Sequence, residues 1–227
     1  MKQTLGIKRI NHPSGENQQR WYHDEQTGGE YCRIWGGLAW PAMDPNWPTS
    51  EPGFAVIIGQ ERIAYRATDV LIGLWEVEEF DLEALLQQCQ DVTHIVDRWF
   101  GNTANSPRMA LLHDASLSGG RFKLSAAPFV DKENGTDTCF QYGIPKIIGR
   151  TRKDKTKTLF LDACPKLTAR LEALPPNIKP GAVCENFPAV AALTYLVTAF
   201  ERYPFTDPSR AYTHTVDDSK GLFWRDR

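Results

Sequence analysis

The sequence predicts an α/β domain built on a mixed sheet, and three observations carry that expectation. Apolar runs of strand length come first, among them "YCRIWGGLAWP" (31–41), "FAVIIGQER" (54–62) and "DVLIGLWEVEEF" (69–80). At "DLEALLQQCQ" (81–90) the period becomes helical, because Leu82, Leu85, Leu86 and Cys89 fall at i, i+3, i+4 and i+7. Helical and strand-like segments then alternate, which is the pattern of an α/β fold.

Element by element, residues 1–29 are polar and rich in Gly, Gln and Asn, and read as a weakly structured lead-in. Three antiparallel-capable strands follow, the first two separated by the Pro-rich loop "PAMDPNWPTSEPG". Asp81 suits the N-cap of the first helix, and Glu83 suits its positive end. "VTHIVDRWFGN" (92–102) then reads as a strand that carries one carboxylate, Asp97, and ends in the breaker pair Gly101–Asn102. Strand, helix and strand form a βαβ-like unit, so runs 69–80 and 92–100 are expected as parallel neighbours.

Beyond this unit, "NSPRMALLHDA" predicts a helix with Ser106 as cap and Pro107 at its first position. "RFKLSAAPFV" reads as extended, residues 131–138 as loop, and "YGIPKIIGR" as a short helix or turn. "TLFLDAC" (158–164) is a strand and "PKLTARLEAL" a helix opened by Pro165. The clearest helix is "PAVAALTYLVTAFERY" (188–203), with Val190, Leu193, Val197 and Phe200 along one face. The expected domain plan is a lead-in over 1–29, one domain over 30–205, and a tail over 206–227.

A chain of 227 residues holds one large domain, or one with a small appendage. Its 41% hydrophobic and 24% charged residues match an ordinary globular protein. The net charge of -2 exerts no global pull toward nucleic acid or membrane, so DNA binding needs a local patch. The five cysteines show no C-x-x-C spacing, which argues for reduced thiols in a cytoplasmic protein. The N-terminus lacks the apolar stretch of a signal peptide, and the longest apolar run is too short to span a bilayer.

The familiar phosphate-loop, dinucleotide, nucleophile-elbow and zinc-protease motifs are absent from the sequence, and the five histidines are far apart. A carboxylate pattern is left. Two-metal phosphodiester hydrolysis needs carboxylates converging on divalent ions about 3.5–4 Å apart. Asp97, Glu185 (just before the last helix) and Asp162 (after "TLFL") are the candidates. The structural alternative pairs Asp97 with Arg98 or another cation and leaves Asp162 and Glu185 as caps or solvated turn residues. The run "GRTRKDKTK" offers Arg150, Arg152, Lys153, Lys155 and Lys157 to a phosphate backbone, or forms a solvated loop. The Phe223–Trp224 pair in the tail either docks a partner or folds back on its own domain.

The element order, with "GLWEVEEFDLEALLQQC", "VTHIVDRWFGNTANSPRMALL", "TLFLDACPKLTARLEAL" and "ENFPAVAALTYLVTAFE", resembles the C-terminal nuclease domain of phage large terminases. The resemblance covers roughly residues 30–203 and implies a ribonuclease-H-like mixed sheet flanked by helices. It implies a phage or prophage protein, in the host cytoplasm, that acts in DNA packaging or processing. An active member would be a Mg²⁺- or Mn²⁺-dependent DNA endonuclease, with Asp97 and Glu185 as metal ligands and Asp162 or Asp44 completing the shell.

The chain also departs from that family. The family's first strand carries an acid, whereas "YCRIWGGLAWP" has none and its nearest acids are Glu30 and Asp44. The strand-four position falls on Asp97 or Asn102, and the acidic slots of the closing helix fall near Pro188 and Ala191. These departures imply a degraded catalytic site in a protein that binds DNA through the basic run or docks other packaging proteins through the tail. An unrelated α/β enzyme is the third reading.

Overall fold

A computed structural model describes residues 5–11, 20–41, 51–64, 66–101, 124–126, 138–151, 158–174 and 187–203. Its strands are β1 (Ile7–Asn11), β2 (Arg20–Asp24), β3 (Glu30–Ala39), β4 (Gly53–Ile63), β5 (Arg66–Glu79), β6 (Arg98–Gly101), β7 (Leu124–Ala126) and β8 (Leu159–Phe160). Its helices are α1 (Leu82–Val92), α2 (Thr138–Thr151), α3 (Pro165–Glu172) and α4 (Pro188–Arg202). All eight strands belong to one mixed sheet with helices on both faces, so the α/β class holds. Among the described residues no helix is long and apolar enough to cross a membrane.

The meander β3–β4–β5 forms the antiparallel centre. Its strands read as near-continuous apolar runs because both faces are covered. Along β4, Phe54, Val56 and Ile58 face the α4 side, whereas Ala55 and Ile57 face the α1 side. Helix α1 begins where expected: the Asp81 carboxylate accepts from the Glu83 N–H at 3.1 Å. Leu85 and Cys89 then bury the predicted stripe.

On the opposite face α4 is buried along nearly its whole length, from Pro188 to Phe200. It packs on β3, β4 and β6, with α2 and α3 behind it. That position explains a sequence with almost no polar face. The segment expected as a short helix or turn at 142–150 is part of the longer α2, because packing against α4 overrides the weak propensity of Gly143 and Pro145.

Three expectations need correction. Residues 92–100 are not one strand: α1 runs to Val92, a single 3-10 turn covers Thr93–Ile95, and β6 begins only at Arg98. Nor are β5 and β6 neighbours. The crossover through α1 passes over β4 and β3, and β6 pairs parallel with β3, from Trp35 opposite Arg98 to Leu38 opposite Gly101. The apolar stripe of α1 fixes that a crossover occurs but not how many strands it spans. The polar lead-in also supplies two strands of the sheet. β1 and β2 form an antiparallel ribbon, and β2 joins β3 at Tyr22–Tyr31 and His23–Glu30.

The turn between β2 and β3 is local chemistry. The Asp24 carboxylate accepts from Gln26 N–H at 2.9 Å and from the Thr27 hydroxyl at 2.6 Å, and Gly28 supplies a φ of 73°. The helix expected to open at Ser106 lies outside the described residues. The strand expected over 158–164 is reduced to β8, and α3 opens at Pro165 as expected.

Candidate functional site

Asp97 stands at a division in the sheet. One edge of β3 is fully taken by β4, and its other edge is shared, with β2 over its first residues and β6 over its last. Asp97 fills the interval. Its backbone N–H donates to the Ile34 carbonyl at 2.8 Å, and its Oδ2 accepts from the Ile34 N–H at 3.1 Å. Its Oδ1 accepts from the Arg9 guanidinium at 3.1 Å and from the Tyr22 hydroxyl. Burial, followed by the adjacent Asp97 charge, pushes the Tyr22 pKa up, so the hydroxyl stays a donor at neutral pH.

This donor set does not fit a divalent ion. Both oxygens of Asp97 are engaged, and a guanidinium already supplies the positive charge. The charge partner is Arg9, whereas Arg98 sits with its guanidinium 5.9 Å from the Phe100 ring centre. Asp97 also precedes β6, at the end of that strand opposite to Gly101.

Across the sheet from Asp97, Arg33 is buried on the α4 face. Its Nε donates to Gln60 Oε1 at 2.6 Å, and its terminal nitrogens donate to the Tyr203 carbonyl and, at 3.3 Å, to the Phe200 carbonyl. The guanidinium lies 4.1 Å from the Trp35 ring centre and 4.8 Å from that of Phe200. A cation at the negative end of α4 is favourable, and the two rings cover its faces. Burial lowers its pKa to about 10 against the raising effect of the nearby Cys32 and Asp97 charges. We expect Arg33→Lys to cost about 2 kcal/mol in urea unfolding, because an ammonium cannot reproduce the planar, stacked fork. A variant as stable as the parent would show that the fork is dispensable.

The rest of this face is filled by packing. Trp35 stacks on Phe200 with ring centres 4.6 Å apart, and Phe100 meets Trp35 edge-on at 5.2 Å. Gly37 lies directly beneath α4. A Cβ there would stand 2.3 Å from the Ala192 carbonyl oxygen, so strand and helix backbones are nearly in contact. Among the described residues no group of three or more His, Cys, Asp or Glu side chains could hold a metal ion.

Among the described candidates, Asp162 does not join Asp97. Asp162 is exposed in the turn between β8 and α3. Because β3, β4 and β5 lie between β6 and β8, strand spacing alone separates the two acids by about 19 Å. That is far too much for one two-metal centre.

Arg150 is a half-buried brace whose guanidinium is already engaged. It donates to the Asp69 carboxylate at 2.8 Å and to Glu201 at 2.6 Å, and its side chain is 12% exposed. Burial works against its charge, but the Glu201 and Asp69 hydrogen bonds hold its pKa above the usual value. Glu185, Asp44, Asn102, Arg152, Lys153, Lys155, Lys157 and the tail from 206 onward lie outside the described residues.

Two features the sequence reading missed had visible signals. Arg33 is a charge inside an apolar strand, which requires a partner. The Gly36–Gly37 pair marks a place where a side chain or backbone comes close. A small pocket of about 10 Å³ sits near the start of α4, with room for about one water molecule. Arg170 closes it through ion pairs to Glu51 and Glu78, both at 2.9 Å. No protein-family model, curated protein or solved structure matches the chain.

Proposed function

We propose that this chain is a phage or prophage protein of the terminase-nuclease kind, with a ribonuclease-H-like core, acting in DNA packaging or processing without metal-dependent cleavage at Asp97. The observation that carries the reading is the strand order. Along β5-β4-β3-β6-β7, three antiparallel strands are followed by a helix and then by two parallel strands built outward from the first strand of the meander. A ribonuclease-H-like core has this arrangement. The closing helix α4 packs on β3, β4 and β6.

The same geometry argues against hydrolysis at the described positions. In such a core the first strand presents an acid toward the metals. Here β3 presents Gly37, beneath the backbone of α4, and Asp97 is bound to Arg9 and Tyr22. The proposed partners are DNA, contacted by the cations that follow Arg150, and other packaging proteins, contacted by the tail.

Incubation of the purified chain with supercoiled plasmid and Mg²⁺ or Mn²⁺ tests the reading. The expected result is no nicking. Nicking abolished by Asp97→Ala would restore Asp97 as a ligand and overturn the proposal. Nicking lost only in Glu185→Ala would instead give an active endonuclease whose acids lie elsewhere. In a salt titration, duplex affinity should fall steeply with ionic strength and fall again on charge reversal at Lys153 and Lys155. Affinity insensitive to both would dismiss the basic run as a phosphate contact.

A further inference from the structure

We propose that the β1–β2 ribbon is a flap that opens as a unit, with Asp97 as its latch. The bonds of Asp97 divide between two bodies. Its N–H and Oδ2 bind Ile34, which ties it to β3 whether or not the ribbon is present. Its Oδ1 binds Arg9 and Tyr22, one residue from each strand of the ribbon and directly opposite each other in the β1–β2 register. The receptor half of the latch is therefore preorganised by the sheet, and the ribbon half can leave without disturbing the Ile34 ladder.

The other ties of the ribbon fit the same picture. Among the described residues its strand pairing to the sheet is confined to Tyr22–Tyr31 and His23–Glu30, at the very start of β3. Lys8 pairs with Glu25 at 2.5 Å, so that ion pair stays within the flap. Away from Asp97, the flap is held by the burial of Ile7 and Tyr22 and by the Arg62 guanidinium 4.3 Å from the Trp21 ring centre. Helices α1 and α4 pack on opposite faces of the meander without it. A segment joined to the core by few ladder bonds and one charged cluster is the kind that opens below the global unfolding free energy.

Opening withdraws Tyr22 and Ile7 from the core and uncovers the edge of β3 at Glu30 and Tyr31. In the closed state the Asp97 charge faces Arg9 and Tyr22, with Arg33 close enough to feel it from the other side of β3.

Amide hydrogen exchange on the full chain tests the proposal through Tyr22→Phe, which keeps the buried ring and removes only the hydroxyl. Amides of β1 and β2 should exchange about tenfold faster, the scale set by one hydrogen bond to a charged group, while β4 and β5 keep the parent rates. Arg9→Ala, which removes the ion pair and the guanidinium 5.6 Å from the Tyr22 ring centre at an exposed position, should give the same pattern. Parent rates in β1 and β2 in both variants would overturn the latch. Acceleration of β1, β2 and β4 by one common factor would overturn the separate flap, because the ribbon would then belong to a single cooperative unit.

Discussion

Gly37→Ala should destabilise the protein by about 3 kcal/mol or more, read as a lower urea midpoint at unchanged slope. The new methyl carbon would sit 2.3 Å from the Ala192 carbonyl oxygen, 3.0 Å from its carbonyl carbon and 3.0 Å from Leu196 Cγ. The first two are backbone atoms of a helix and cannot rotate aside. Helix α4 cannot retreat either. On the α2 side, Gly143 is so close that a Cβ there would lie 2.4 Å from Thr194 Cγ2 and 2.9 Å from Thr198 Oγ1. Two glycines thus clamp α4 from opposite sides, and the interior is too densely packed to absorb a methyl at either contact.

Gly149→Ala is the matched control, since a Cβ at that helical site meets nothing within 4 Å. It should raise stability by about 0.5–1 kcal/mol through helix propensity alone. If Gly37→Ala left stability unchanged, β3 and α4 would not be in backbone contact. The face between them would then have room for the metal centre that the proposed function denies.

The legible parts of this fold are those fixed by local periodicity. The stripe Leu82, Leu85, Leu86, Cys89 with its Asp81 cap gives α1, the apolar runs of strand length give β3, β4 and β5, and the all-round apolar segment gives α4. What was not legible depends on register and on distant partners. Asp97 looked like a strand residue because Val92, Ile95 and Val96 are apolar, yet that pattern suits the end of an amphipathic helix and a 3-10 turn equally well. Its partners Arg9 and Tyr22 come from a polar stretch with no strand signature of its own, where the pairing of β1 with β2 and of β2 with β3 makes the strands. The divided edge of β3 is a property of topology, and no short window of residues encodes it.

Stability should also fall steeply on the alkaline side, which follows from how the thiols are buried. Cys32, Cys89 and Cys164 are free and buried, and burial pushes Cys32 up to about 11 and Cys164 up to about 12, with Cys89 raised as well. In the unfolded chain these thiols ionise near their ordinary value of 9. Above that pH the unfolded state binds fewer protons than the folded one, so stability decreases as pH rises. The contribution is fully present below pH 9 and is withdrawn between 9 and the folded values. Each thiol accounts for roughly 1.4 kcal/mol per pH unit in that window, so the three together remove roughly 4 kcal/mol by pH 10.

Tyr22 and Tyr31, both raised first by burial, act with the same sign from pH 10 upward. Arg33 does not reverse the trend: burial lowers its pKa, but a guanidinium that donates to three acceptors keeps its proton over this range. Urea midpoints measured from pH 7 to 10.5 should therefore be flat up to about pH 8.5 and then fall. Cys89→Ala, which removes the thiol sealed inside α1, should make the fall shallower by about one third, each thiol carrying an equal share of the slope. An unchanged slope in that variant would mean that Cys89 is not buried as a neutral thiol, and the α1 face of the core would need to be redrawn.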